Sequence, residues 1–180
     1  MEYNDIYDAQ RRPVGRVHLR GTPWQAGEYG LAVFVWVYDG HGKLLLTRRA
    51  PEKTAAGTWE NSGGAAKAGE YSRQAIAREL FEETGIRAEE GEFLLLDSEC
   101  SENMHHDHYA LRREVPLSEI VLLPGETVDA RWLTFSEVHE LIARGEICDV
   151  IAAQFLRLET MLRALDAKPQ PKFSQKYNIR

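Results

Sequence analysis

A chain of 180 residues, 43% of them apolar and 28% charged, has the size and balance of one globular domain with a substantial core. Its net charge of -6 argues against a surface for duplex nucleic acid or anionic membranes. The opening MEYNDIYDAQRR is unlike a signal peptide, and the longest apolar run, LAVFVWVY, is too short to cross a bilayer. Cys100 and Cys148 are too few for a disulfide framework or a thiolate metal site, so the expectation is a soluble cytoplasmic protein.

In chain order, DIYDAQRRPVGRVHLRG predicts two short strands with Pro13 and Gly15 near the reversal. Leu31 to Tyr38 is apolar throughout and reads as a strand buried on both faces. DGHG turns the chain into KLLLTRR, a hairpin, and the Gly- and Ala-rich AAGTWENSGGAAKAGE reads as a loop around a short strand. A helix is expected over 72–84, with Ser72 as N-cap and Gly85 at its left-handed end. Strands follow over 92–100 and 106–115, then DARWLTF. Thr134 and Glu137 form a capping box for a helix that Gly145 closes. A last helix covers 149–165, with Ile151, Phe155, Leu158, Leu162 and Leu165 as an apolar stripe. The stripe favours packing on the chain's own sheet over a dimer seam, while leaving a homodimer open. The expected organisation is an N-terminal hairpin extension (1–28) packed on one α/β domain (29–165), with a basic, flexible tail (166–180).

The chemistry concentrates in RELFEETGI. At about 100° per residue, Ile76, Ala77, Leu80 and Phe81 share one helix side, while Glu79, Glu82 and Glu83 share the other, with Ala75 between them. Such carboxylates repel by a few tenths of a kcal/mol per pair even on an exposed helix. Arg78, at the i to i+4 separation from Glu82, offsets part of that charge. An all-oxygen set on one rigid face suits Mg²⁺ or Mn²⁺.

Gly64, Glu70, Arg78, Glu79, Leu80, Glu82, Glu83, Gly85 and Ile86 spell G-x5-E-x7-R-E-U-x-E-E-x-G-U, where U is apolar. This pattern is identified as that of the Nudix (MutT-type) hydrolase family, without departures. The resemblance implies an α/β/α sandwich with a mixed β-sheet and a loop–helix–loop box. It also implies divalent-metal-dependent pyrophosphatase chemistry on a small-molecule diphosphate, a nucleotide derivative being the generic expectation. It makes Glu79 and Glu83 the first metal ligands, Glu82 a ligand or base, and the Gly63 carbonyl a further ligand. Glu70 acts through a water, and Arg78 orients the acidic cluster. Glu126, six residues before Trp132, stands where some members place another ligand or general base. Arg48 and Arg49 end the hairpin strand beside the box, where one can reach a substrate phosphate, and Gly64 lines the same loop.

The upstream stretch GEYGLAVFVWVYDGHGKLLLTRRAPEK and GTWENSGG is similar to the branch containing type I isopentenyl-diphosphate isomerases. Gly63, however, stands where that enzyme's catalytic cysteine belongs, and Gly30 and Ala65 replace metal histidines. Hydrolysis is therefore expected over isomerisation, which needs a thiol as proton donor, and over a non-catalytic nucleotide-binding role. MHHDHY invites reading as a histidine metal site. His106 and His108 would share one strand face and His105 and Asp107 the other, and the box already supplies metal ligands. A structural or substrate-contact role is expected for them. Trp24, Tyr29, Trp36 and Trp59 are expected mainly in the core, and His18, His41 and His139 on the surface or in turns.

Overall fold

The computed structural model of the protein describes residues 1–167. Strands β1 (Tyr3–Tyr7) and β2 (Pro13–Leu19) pair antiparallel as a separate hairpin. β3 (Gly30–Tyr38) is the central strand and is buried at every position but Phe34, as its unbroken apolar run demands. β4 (Lys43–Arg49), β5 (Trp59–Glu60) and β6 (Ser62–Ala65) precede helix α1 (Ser72–Thr84). β7 (Leu94–Ser101), β8 (Met104–Arg112), β9 (Thr127–Thr134), α2 (Phe135–Ala143) and α3 (Asp149–Asp166) complete the order.

Five strands run β5-β4-β3-β8-β7, with β6 also on β3 and β9 on β4. Among the described strands only β3 and β8 pair in parallel, so the sheet is mixed. One face carries α1, packed through Ala75, Ile76 and Leu80 onto Leu31, Val33, Val35, Tyr109 and Leu111. The other carries α2 and α3, with Phe135, Val138, Phe155 and Leu158 against Trp36, Leu44 and Leu133. The result is the expected α/β/α sandwich. The apolar stripe of α3 is spent on the chain's own sheet, Ile151, Phe155, Leu158 and Leu162 all being buried.

β3 changes partner along its length. Ala32–Val35 pair with β6, whereas Val37 and Tyr38 pair with β4. This fork places Gly63 and Gly64 beside α1. The N-terminal hairpin docks on the same end of the sheet. Asn4 Nδ2 donates to the Ala66 carbonyl (2.6 Å), and the Gly69 N–H donates to Asp5 (2.8 Å).

Several boundaries differ from the sequence reading. Ser72 is not the N-cap; Tyr71 holds that position, and Ser72 turns its hydroxyl to Asp107 and to Tyr109 Oη (2.6 Å). A partly buried tertiary partner outcompetes the local capping bond. β8 starts at Met104 rather than His106, because Glu102 takes a left-handed backbone (φ 51°) and the β7–β8 turn is tight. His18 is buried rather than superficial, stacked on Trp24 at 3.7 Å between ring centroids. The capping box of α2 is as expected, with Thr134 Oγ1 accepting from the Glu137 N–H (3.2 Å) and Gly85 left-handed at the end of α1 (φ 73°). Of the tail expected over 166–180, Asp166 still belongs to α3, and residues 168–180 lie outside the described residues.

Candidate active site

Helix α1 is rotated relative to the wheel drawn from its sequence. Ala75 is fully buried, whereas Phe81 is 40% exposed and sits under the Arg87 guanidinium, 4.1 Å from its ring centre. The ridge Ala75–Glu79–Glu83 therefore faces β6 instead of water. It can do so because β6 presents glycine there. A Cβ on Gly64 would lie 2.5 Å from the Glu79 carboxyl carbon. The Gly63 N–H donates to Glu83 Oε2 at 3.3 Å.

Arg78 knots the cluster together. Its Nε and Nη2 donate to the two oxygens of Glu70 (2.7 and 2.9 Å), and its Nη1 donates to Glu79 Oε1 (2.8 Å) and Glu82 Oε2 (3.0 Å). Nη2 also donates to the Ala65 carbonyl (3.2 Å), tying α1 to β6. Burial alone would lower the Arg78 pKa, but Glu70 and Glu79 outweigh it and hold the guanidinium above its ordinary value. Burial likewise opposes the Glu70 charge, yet Arg78 and the Lys67 N–H keep that carboxyl below its usual range.

For the inner carboxyls the compensation falls short. Burial pushes Glu79 up despite Arg78. Glu83 is pushed up to about 8, by burial first and then by facing Glu60 and Glu79; the Ser62 hydroxyl and Gly63 N–H offset only part. Glu60 is itself raised by burial, against the pull of its partner Arg49. Three glutamates share Arg78, and Glu83 faces Glu60 and Glu79, a crowding of carboxyls that a divalent cation would relieve. The oxygen-only donor set fits Mg²⁺ or Mn²⁺.

These groups open into a cleft of about 240 Å³, lined by Gly63, Gly64, Arg78, Glu79, Glu82 and Glu83 on one side and by Glu126 and Leu123 on another. Cations stand at its rim: Arg20 from the end of the hairpin, Lys53 from the β4–β5 loop, and Lys67. Lys53 pairs with Glu126, and Lys67 lies 3.5 Å from Glu82.

Residues 28–152 match the NUDIX domain. The chain belongs to the NUDIX family. An uncharacterized Nudix hydrolase of Listeria monocytogenes is 32% identical over 81% of this chain and 88% of its own length. An isopentenyl-diphosphate Delta-isomerase of Rhizobium rhizogenes is 39% identical over a shorter stretch, 43% of this chain and 36% of that one. In fold, a crystal structure from Deinococcus radiodurans superposes with a TM-score of 0.71 at 24% identity, covering 87% of this chain and 98% of that one.

Within the Nudix domain, Glu70, Arg78, Glu79, Glu82 and Glu83 come together around Gly63 and Gly64, and Glu126 faces them across the cleft. Arg48 and Arg49 do not line it. Arg48 Nε donates to the Gly57 carbonyl (2.8 Å), and Arg49 pairs with Glu60 and with the Thr54 carbonyl (2.7 Å). Glu60, Arg20, Lys53 and Lys67 join this region without a mark in the sequence pattern. Lys67 lies inside the motif, between Gly64 and Glu70, so its place beside the box is local in sequence. Arg20 is distant in sequence and joins the cleft only through hairpin docking. Trp36 and Trp59 are core residues, as expected. No helix among the described residues is long and apolar enough to cross a membrane.

Proposed function

We propose that this Nudix hydrolase cleaves a phosphoanhydride bond in a nucleoside di- or triphosphate derivative, by water attack on phosphorus, with Mg²⁺ or Mn²⁺. The observation that carries the reading is the inward-turned pair Glu79 and Glu83, seated against side-chain-free Gly63 and Gly64 at the base of a cation-rimmed cleft. Glu79, Glu83 and the Gly63 carbonyl are the metal-holding groups, with Glu82 at their edge. When bound, the metal neutralises the diphosphate and acidifies a water. Arg78 fixes the carboxylates of Glu70, Glu79 and Glu82 in one arrangement, so that little reorganisation is needed at the moment of reaction. Arg20, Lys53 and Lys67 draw in the anionic substrate. Glu126, released from Lys53 as that lysine turns to phosphate, takes the proton of the attacking water.

The isomerase-like upstream half does not favour double-bond migration. A Cβ at Gly63 would collide with the Val33 carbonyl and lie 2.7 Å from Phe34 Cδ1, so the backbone has no room for a thiol there. Cys100 sits on β7 and Cys148 at the start of α3, and neither lines the cleft. The test is a panel of nucleoside diphosphate derivatives plus isopentenyl diphosphate, with Mg²⁺ or Mn²⁺. Metal-dependent release of phosphate products is expected, with Glu83→Gln lowering kcat by about a hundredfold or more. Conversion of isopentenyl diphosphate without hydrolysis, or wild-type rates in both Glu79→Gln and Glu83→Gln, would overturn it.

A further inference from the structure

The histidine run on β8 makes a second constellation, remote in chemistry from the box. Alternation along the strand sends His106 and His108 to the face covered by α3. Across the antiparallel pair, Glu99 of β7 stands opposite His106. One donor atom from each of Glu99, His106 and His108 lies within 4.8 Å of the others. His108 Nε2 is 3.0 Å from Glu99 Oε1, and the Phe34 ring lies 5.4 Å from His108, stacked, and 5.9 Å from His106. His108 is fully buried, and its Nδ1 has no hydrogen-bond partner among the described residues.

We infer that Glu99, His106 and His108 form a second metal site, selective for zinc-like cations and separate from the oxygen-only Nudix box. Two imidazoles and one carboxylate are a borderline-soft donor set, which Zn²⁺ takes at about 2.0–2.2 Å with donors about 3.4 Å apart. The three donor atoms, all within 4.8 Å of one another, would draw in to that spacing on binding. Adjacent strands supply all three donors, so the scaffold is rigid, and the half-exposed Glu99 leaves a side open for a water as fourth ligand. Mg²⁺ has little use for imidazoles, so excess Mg²⁺ competes for the box but not for this site.

Among the described residues, one group opposes a cation here. Arg157 of α3 reaches across to Asp97 and, at 2.7 Å, to Glu99 Oε1. It guards the carboxylate that a metal would claim, and this supplies a test of sign. If Glu99 is a ligand, Arg157→Gln strengthens metal binding. If the three residues are only a structural network, the same change creates no site.

The experiment is calorimetric titration of the whole chain with Zn²⁺ in excess Mg²⁺, which competes for the box. One Zn²⁺ per chain is expected, and Glu83→Gln must leave that stoichiometry at one. His106→Ala and Glu99→Gln should each weaken binding by about tenfold or more, and Arg157→Gln should tighten it about fivefold. Circular dichroism checks folding of each variant. Co²⁺ added to the wild-type protein in Mg²⁺ reports nitrogen ligation through its visible absorption, independently of any variant. No Zn²⁺ uptake by the wild type, or uptake unchanged in both His106→Ala and Glu99→Gln, overturns the site. Loss in Glu83→Gln alone would assign the ion to the box instead.

Discussion

At residue scale, two adjacent glycines serve different ends, and substitution separates them. An alanine methyl at Gly64 meets only the carboxyl end of the flexible Glu79 side chain. Gly64→Ala should therefore leave the melting temperature nearly unchanged while lowering kcat by about tenfold to a hundredfold, since an ångström of misplacement is enough. The methyl at Gly63 meets the backbone of Val33 and Phe34, which cannot swing away. Gly63→Ala should lose about 1–3 kcal/mol of stability in urea unfolding. Equal stability in the two variants would show that β6 tolerates more than its packing suggests. The same contrast explains why the acidic ridge can be buried at all: removing side chains from the strand, rather than adding cations, makes room for it.

At element scale, the hairpin and the α2–α3 corner carry separate predictions. The hairpin ends in Arg20, whose partner Glu2 (2.5 Å) also lines the cleft, so β1 and β2 act as one wall of the site. Arg20→Ala should raise KM several-fold with kcat little changed, the signature of uniform binding lost. A fall in kcat alone would place Arg20 outside ground-state recognition. At the corner, Glu159 of α3 accepts from His139 of α2 (3.0 Å) and from Arg163 (2.8 Å). Burial opposes its charge, but these partners win and hold the carboxyl below its ordinary value. A depressed carboxyl adds stability above its unfolded pKa and loses it as pH falls through the folded one. Glu159→Gln should thus cost up to about 1 kcal/mol at pH 7. The gap to wild type should close in acid, below the ordinary carboxylate range, as read by thermal melts across pH. A gap that persists in acid would mean that packing rather than charge holds the corner.

At the scale of the whole molecule, the layer under α3 is held by large buried rings. Phe155 is fully buried, with ring centres 5.6 Å from Trp36, 6.1 Å from Phe135 and 5.2 Å from His139, so it joins the sheet to both helices of its layer. Phe155→Ala should cost about 3–5 kcal/mol. Denaturant unfolding should show one transition if the two layers melt together, whereas a split transition would make the α2–α3 layer a separate cooperative unit. The chain's own pattern was sufficient for much of this architecture. The unbroken run of β3, the capping box of α2, the left-handed Gly85 and the stripe of α3 are local or periodic signals, and each specifies its element without help from distant residues. The box residues were legible for the same reason, lying within one loop and helix. Tertiary structure alone decided the rotation of α1 toward β6, the diversion of Ser72 to Asp107, the retirement of Arg48 and Arg49 into their own loop, and the arrival of Arg20 at the cleft. It also brought Glu99 against His106 and His108 by cross-strand register. Those outcomes depend on which surfaces meet, and chain spacing carries no record of contacts made between elements far apart in sequence.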